Sequence, residues 1–219
     1  YIIMIEYIRE ACKISCEILE ECFHDFNFET ETEVADWLRK KTKERNCKLA
    51  FPPLIVSGNN FLEIHHKPDK TKLKKFIIVD FGVRYKGYCS DVTRMLYKGK
   101  PSRKDLKLYG LILDLQETAL NEIKIGMNCF ELDMMIRDGY GKDRKNFRHS
   151  LGHGIGKKIH QIPWIKSFSK CEFKEQDVVT IEPGWYTKNK GIRVEDTVLV
   201  KKNGVEVLTS LSKELIILD

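Results

Sequence analysis

No apolar run in this 219-residue chain approaches the length of a membrane span, which takes roughly 20 residues as a helix. The opening Tyr1-Ile-Ile-Met-Ile-Glu-Tyr7 stays apolar for only five residues before charge appears. Neither a signal peptide nor a membrane anchor is expected there. An initiator methionine is missing too, so the chain is expected to begin inside a longer protein. The seven cysteines (12, 16, 22, 47, 89, 129 and 171) contain no C-x-x-C pair and are odd in number. That usage suits reduced thiols in a cytoplasmic protein better than a disulfide framework. A net charge of +6 is mild, and the basic stretches at 40–45 and 67–75 carry no interleaved aromatic platform apart from the flanking Phe76. Solvated surface is the expectation for them, with no nucleic-acid partner. With 42% apolar residues, the chain can bury a full core as one large domain or two fused halves.

Against this plain background stand five residues: Asp80, Asp91, His153, Glu182 and Glu195. The segment Phe76-Ile-Ile-Val-Asp80-Phe-Gly-Val-Arg-Tyr-Lys-Gly-Tyr-Cys-Ser-Asp91-Val-Thr-Arg94 reads as two strands around a tight turn near 85–87. In a hairpin with an even loop, opposed positions have an odd sum, and 80 + 91 is odd. The two carboxylates are therefore expected on one face, as direct or diagonal neighbours roughly 5–8 Å apart. Two anions so placed in a partly buried sheet repel unless a proton or a cation lies between them. Val178 to Gly184 and Gly191 to Val200 give a second strand pair, and 182 + 195 is again odd. Pro183 cannot donate to a ladder, so the strand is expected to leave its sheet just after Glu182. His153 lies in Ser150-Leu-Gly-His-Gly-Ile-Gly156, where glycines 152, 154 and 156 leave the opposite face bare for close approach by another element. One imidazole with four carboxylates makes a hard, oxygen-rich donor set. Manganese or cobalt is expected in it, with iron and zinc as alternatives.

The remaining pattern supplies a scaffold. Apolar residues at 5, 8, 12, 18, 19 and 22 follow helical spacing over 5–26, and Thr30-x-x-Glu33 is a capping box for a second helix. A strand is expected at 54–57, followed by a loop through Asn60, His65 and His66. Ser102-x-x-Asp105 opens a third helix running to about Lys124, and Asn128-x-x-Glu131 a fourth ending by Gly139. Helix, helix, His-bearing segment and carboxylate hairpin thus occur twice. The offsets are 98 residues from Thr30 to Asn128, 102 from Asp80 to Glu182 and 104 from Asp91 to Glu195. An α+β fold of two pseudo-symmetric halves, about 1–100 and 101–219, is predicted, with antiparallel hairpins facing a central cleft.

The segments Val79-Asp80-Phe-Gly, Tyr88-Cys-Ser-Asp91-Val-Thr-Arg94, Gly152-His-Gly-Ile-Gly156, Ile181-Glu-Pro-Gly184 and Ile192-Arg-Val-Glu-Asp196 resemble the consecutive motifs of the pita-bread-fold metallopeptidases. The resemblance covers nearly the whole chain. It implies a dinuclear metal site in which Asp80 chelates one ion, Asp91 and Glu195 bridge both, and His153 with Glu182 completes the second. It also implies that Glu182 is the general base and acid, that His160 bonds the substrate carbonyl or oxyanion, and that His65, rather than the adjacent His66, is the other substrate-facing histidine. Thr93 and Arg193 would orient the bridging carboxylates.

Ser90 to Arg94 and Ile192 to Asp196 look like the Xaa-Pro aminopeptidase and prolidase branch, which implies a peptide or dipeptide substrate with a free N-terminus. A methionine aminopeptidase is the alternative within the family, although Glu195-Asp196 stands where those enzymes usually show Glu-His. Outside that activity, the alternatives are a non-catalytic pita-bread binding module and a metal-independent hydrolase of the creatinase type. By the same resemblance the usual N-terminal domain is absent from this chain, and a homodimer is compatible with the reading. The stretch from Asp133 to Gly139 is shorter than the family usually has, and Lys142 to Arg148 longer.

Overall fold

The computed structural model describes residues 2–218. The first half begins with helices α1 (Ile2–His24) and α2 (Glu31–Glu44). Strands β1 (Lys48–Leu49), β2 (Leu54–Val56), β3 (Lys75–Phe81), β4 (Val83–Tyr85), β5 (Tyr88–Cys89) and β6 (Val92–Lys98) follow. The second half opens with α3 (Arg103–Glu122), α4 (Cys129–Gly139) and a 3-10 turn at Gly141–Asn146. Its strands are β7 (Gly152–Gly154), β8 (Gln161–Ile165), β9 (Val178–Ile181), β10 (Gly184–Tyr186), β11 (Gly191–Arg193), β12 (Asp196–Lys201) and β13 (Gly204–Val207), and the chain closes with β14 (Ile216–Leu218).

The helices start where their caps place them. Thr30 and Glu33 exchange the two bonds of a capping box, as do Ser102 and Asp105, and the Asn128 side chain accepts from the Phe130 amide at 2.8 Å. Each cap satisfies amides that have no partner inside their own helix. The apolar stripe of α1, including Ile8, Cys12, Ile18, Leu19 and Cys22, is buried.

Two sheets carry the repeat. One has the order β14-β6-β3-β2 and the other β13-β12-β9-β7-β8, so β6-β3-β2 corresponds in order and direction to β12-β9-β7. Single bridges Thr30–Lys72 and Asn128–Glu172 recur at matching places, and Thr93–Glu195 joins the halves. Strand β3 is apolar on both faces. Ile77, Val79 and Phe81 pack under α1 and α2, while Phe76 and Ile78 join the core beneath α3 and α4. Asp80 shares the second face, which directs it toward the other half.

One strand departs from the antiparallel expectation. β14 pairs parallel with β6, Ile216 against Leu96. The chain returns from the second half to the open edge of the first sheet, a connection long enough for parallel pairing, where a hairpin would not be.

Behind the cleft the halves are stitched by Arg94, 1% exposed. Its guanidinium donates to Asp196 Oδ1 at 2.7 Å, to the Glu195 carbonyl at 2.6 Å and to the Leu211 carbonyl at 2.7 Å. Burial pushes the Asp196 carboxyl up, but Arg94 and Lys213 outweigh it and hold the group below its ordinary range. Arg94 and Asp196 are therefore tied to each other, behind the cleft wall.

Candidate active site

Register positions the acidic residues. In the first half Asp80 faces Thr93 and Arg84 faces Cys89, and the same count sets Asp91 opposite Gly82, one diagonal step from Asp80. Gly82 is required there, because a Cβ would lie 2.0 Å from the Ser90 carbonyl oxygen. In the second half Ile181 faces Asp196 and Gly184 faces Arg193. Glu182 and Glu195 thus stand across from one another in the gap between two ladders, where Pro183 interrupts pairing. His153 is carried by β7, pressed so tightly between neighbours that a Cβ on Gly152 would approach Thr180 O to 1.9 Å, and one on Gly154 would approach Ile162 O to 2.2 Å.

These elements bring Asp80, Asp91, His153, Glu182 and Glu195 to one wall of a cavity of about 610 Å3, with His65, His160 and Arg193 also lining it. Ligand-type atoms of Asp91, His153 and Glu195 all lie within 4.8 Å of one another. His153 Nε2 is 3.7 Å from Asp91 Oδ2 and 3.4 Å from Glu182 Oε1. The His160 ring meets the His153 ring edge-on at 4.3 Å between centroids.

Such crowding reshapes every titration. Burial, then the charges of Glu195, Asp80 and Glu182, push Asp91 far above the usual carboxylate range. Burial and the neighbouring carboxylates do the same to Glu195. Burial raises Glu182 to about 8 despite Arg193, and lowers His153 to about 3. Without a cation, the cluster relieves its repulsion by keeping protons. In addition, Asp80 Oδ1 is buried with no hydrogen-bond partner, an arrangement that costs free energy unless something fills it. A neutral imidazole and four carboxyl groups, one of them with an orphaned oxygen, fit divalent cations that prefer oxygen donors.

Around this cluster, Thr93 Oγ1 donates to Glu195 Oε2 at 2.6 Å. Arg193, expected to orient the bridging pair, donates directly to Asp80 Oδ2 at 2.5 Å and to Thr93 Oγ1 at 3.3 Å, the hydroxyl that holds Glu195. From β11 it reaches across the interface to β3, which brings it to the nearest carboxylate of the other half. Of the two adjacent histidines, His65 is exposed on the cavity wall. His66 is buried, with Nε2 2.6 Å from Glu31 Oε2, and Asn60 and the Ser57 amide also serve that carboxylate. His66 thus fastens the loop that presents His65.

Two cavity neighbours escaped the sequence reading. His149 sits with Nε2 2.7 Å from the Tyr186 hydroxyl and Nδ1 3.6 Å from Glu182 Oε2, and burial lowers it to about 3. The Tyr186 hydroxyl in turn accepts from Arg193 at 3.1 Å. His149 precedes β7 at a bend, so no strand or helix period singles it out in the sequence.

Residues 6–202 match metallopeptidase family M24, and the chain belongs to that family. It is 35% identical over 222 residues to a Xaa-Pro dipeptidase of Pyrococcus furiosus, covering 97% of this chain and 63% of the relative. A putative Xaa-Pro aminopeptidase of Mycoplasma genitalium is 38% identical over 181 residues, covering 79% of this chain and 51% of the relative. Among solved structures, the prolidase of Pyrococcus horikoshii superposes with a TM-score of 0.92 at 32% identity, over 97% of this chain and 63% of the other. The X-Pro aminopeptidase of Thermotoga maritima gives 0.93 at 32%, over 98% and 63%. The chain thus spans less than two thirds of these relatives' length. The α+β pita-bread fold is that of the family, and no helix among the described residues is long and apolar enough to cross a membrane.

Proposed function

We propose that the chain carries the catalytic centre of a metal-dependent peptidase that hydrolyses the bond between an N-terminal residue and a following proline. The observation that carries this is the convergence of four carboxylates and a neutral imidazole on one cavity wall, beside a buried Asp80 oxygen without a partner. Asp80, Asp91, His153, Glu182 and Glu195 would hold two divalent ions, manganese or cobalt by donor preference. Bound there, such ions would supply acidification of a water and polarisation of the scissile carbonyl.

The remaining roles fall to side chains. Glu182, between His153 and His149, accepts the proton of the attacking water and returns it to the leaving amine. His160, kept neutral by burial, donates an N–H to the oxygen on which charge develops. His65 faces the substrate from the opposite loop. Thr93 holds Glu195, and Arg193 holds Asp80, at the angles found here.

Proline specificity is supported by the Xaa-Pro names of several relatives. A cytoplasmic location fits seven cysteines without a disulfide, and light scattering tests whether the chain forms a homodimer. The deciding experiment loads the purified chain with manganese or cobalt and compares kcat/KM on Xaa-Pro, Xaa-Pro-Yaa and Met-Ala-Yaa peptides. Preference for proline in the second position is expected; preference for Met-Ala-Yaa would overturn the specificity while leaving the site.

A further inference from the structure

A second cavity, of about 830 Å3, adjoins the cleft and shares His149 and Ser150 with its wall. Arg137, Lys142, Arg144, Lys145, Arg148 and Lys166 line it, and no acidic side chain does. Two of these cations are already used, Arg137 by Asp133 at 2.7 Å and Arg144 by Asp138 at 2.5 Å. Among the described residues, Lys142, Lys145, Arg148 and Lys166 have no carboxylate within 4.0 Å. Lys166 lies instead over the rings of Trp164 and Phe168, at 5.0 and 4.7 Å. Several unpaired like charges around one concavity repel each other and create a field that an anion relieves.

The floor of the basin is fixed. Phe147 is buried, stacks on Tyr140 at 5.2 Å and lies 4.3 Å from the Arg137 guanidinium. Arg137 also donates to the carbonyls of Phe147 and His149, at 3.0 and 2.5 Å. The backbone is thereby anchored on both sides of Arg148, so less ordering remains to be done on binding.

An enzyme that removes a single N-terminal residue has only one residue upstream of the scissile bond. Whatever peptide emerges from its cleft is therefore downstream. His149, which divides cleft from basin, is 3.6 Å from Glu182, so a chain leaving past it enters the basin at once. We infer that the basin is a subsite for acidic side chains downstream of the scissile bond, making acidic-tailed peptides the favoured substrates. This rests on the peptidase reading above.

The test compares the metal-loaded protein on Ala-Pro-Ala-Glu-Glu, Ala-Pro-Ala-Gln-Gln and Ala-Pro-Ala-Lys-Lys. At low ionic strength the Glu peptide should exceed the Gln peptide by about five-fold in kcat/KM, the scale of two partly screened ion pairs. The gap should close toward 1 M salt, where the screening length is about 3 Å. Lys145→Glu with Arg148→Glu should abolish or invert the order while leaving the Gln peptide within two-fold. Equal rates for the Glu and Gln peptides, or a preference that survives in the variant, would overturn the inference.

Binding of an N-acetylated, C-terminally dye-labelled Ala-Pro-Ala-Glu-Glu, followed by anisotropy, reads the basin without turnover. If no peptide is hydrolysed, the peptidase reading fails. Acidic-peptide binding lost in the variant would then still support the basin, and binding retained would refute it. A single-stranded oligonucleotide of equal charge that binds more tightly than the peptide would reassign the basin to general polyanions, and so overturn the proposal.

Discussion

Glu182 gives the metal-free protein an unusual dependence on pH. Its proton is held from the ordinary 4.5 up to about 8 by burial, so between those values the folded state binds a proton that the unfolded state has released. A carboxylate raised in this way stabilises the fold at low pH, and that contribution is lost as pH rises toward the folded value. At ~1.4 kcal/mol per tenfold change in proton affinity, Glu182 alone should remove roughly 1 kcal/mol between pH 7 and pH 8. Asp91 and Glu195, pushed well above their ordinary range, add to the fall.

Histidines run the other way but in another window. His149 and His153, lowered to about 3, cost stability as pH drops below about 6.5 and are silent above about 7. His66, raised through Glu31 despite its burial, loses stability in the same upward direction as Glu182, so a control is needed. Urea unfolding of the chelated protein at pH 7, 7.5 and 8 should show declining stability. Glu182→Gln should flatten the decline by about 1 kcal/mol, and saturating manganese should largely remove it by displacing the protons. Metal-free stability that is flat or rising across this interval, or a slope unchanged in Glu182→Gln, would show that Glu182 does not keep its proton in the fold.

Other substitutions separate metal from substrate contacts. Asp91→Ala or Glu195→Ala should abolish bound metal and activity together, measured by elemental analysis beside peptide hydrolysis. His160→Ala and His65→Ala should retain metal while kcat falls by about 10² or more, the scale of one lost oxyanion or proton-handling group. Arg94→Ala leaves buried Asp196 with only the partly exposed Lys213, at 3.3 Å, as counter-charge, and denaturant unfolding should show a loss of about 3 kcal/mol. Recovery of part of that loss in Arg94→Met with Asp196→Leu would identify the stranded charge as the cause.

The carboxylate geometry was legible because hairpin register is arithmetic. Odd sums put Asp80 with Asp91, and Glu182 with Glu195, on common faces, and the ladders place them so. Helix starts were legible from capping chemistry, which is local. What could not be read depends on contacts distant in sequence. Arg193 meets Asp80 from 113 residues away, and nothing near position 193 distinguishes that carboxylate from Asp91. β14 is three residues long and joins a strand of the other half in parallel, a pairing without a turn to announce it. His149 lies at a bend between the 3-10 turn and β7, outside any regular element, and only the fold reveals its approach to Glu182.

Titration of manganese into the chelated chain, followed by calorimetry in two buffers of different protonation enthalpy, reads metal binding and proton release together. Two ions per chain are expected, with net proton release at pH 7, because Asp91, Glu182 and Glu195 must surrender the protons that crowding makes them keep. Absence of binding, or binding without proton release, would contradict the assignment of these residues as the metal centre.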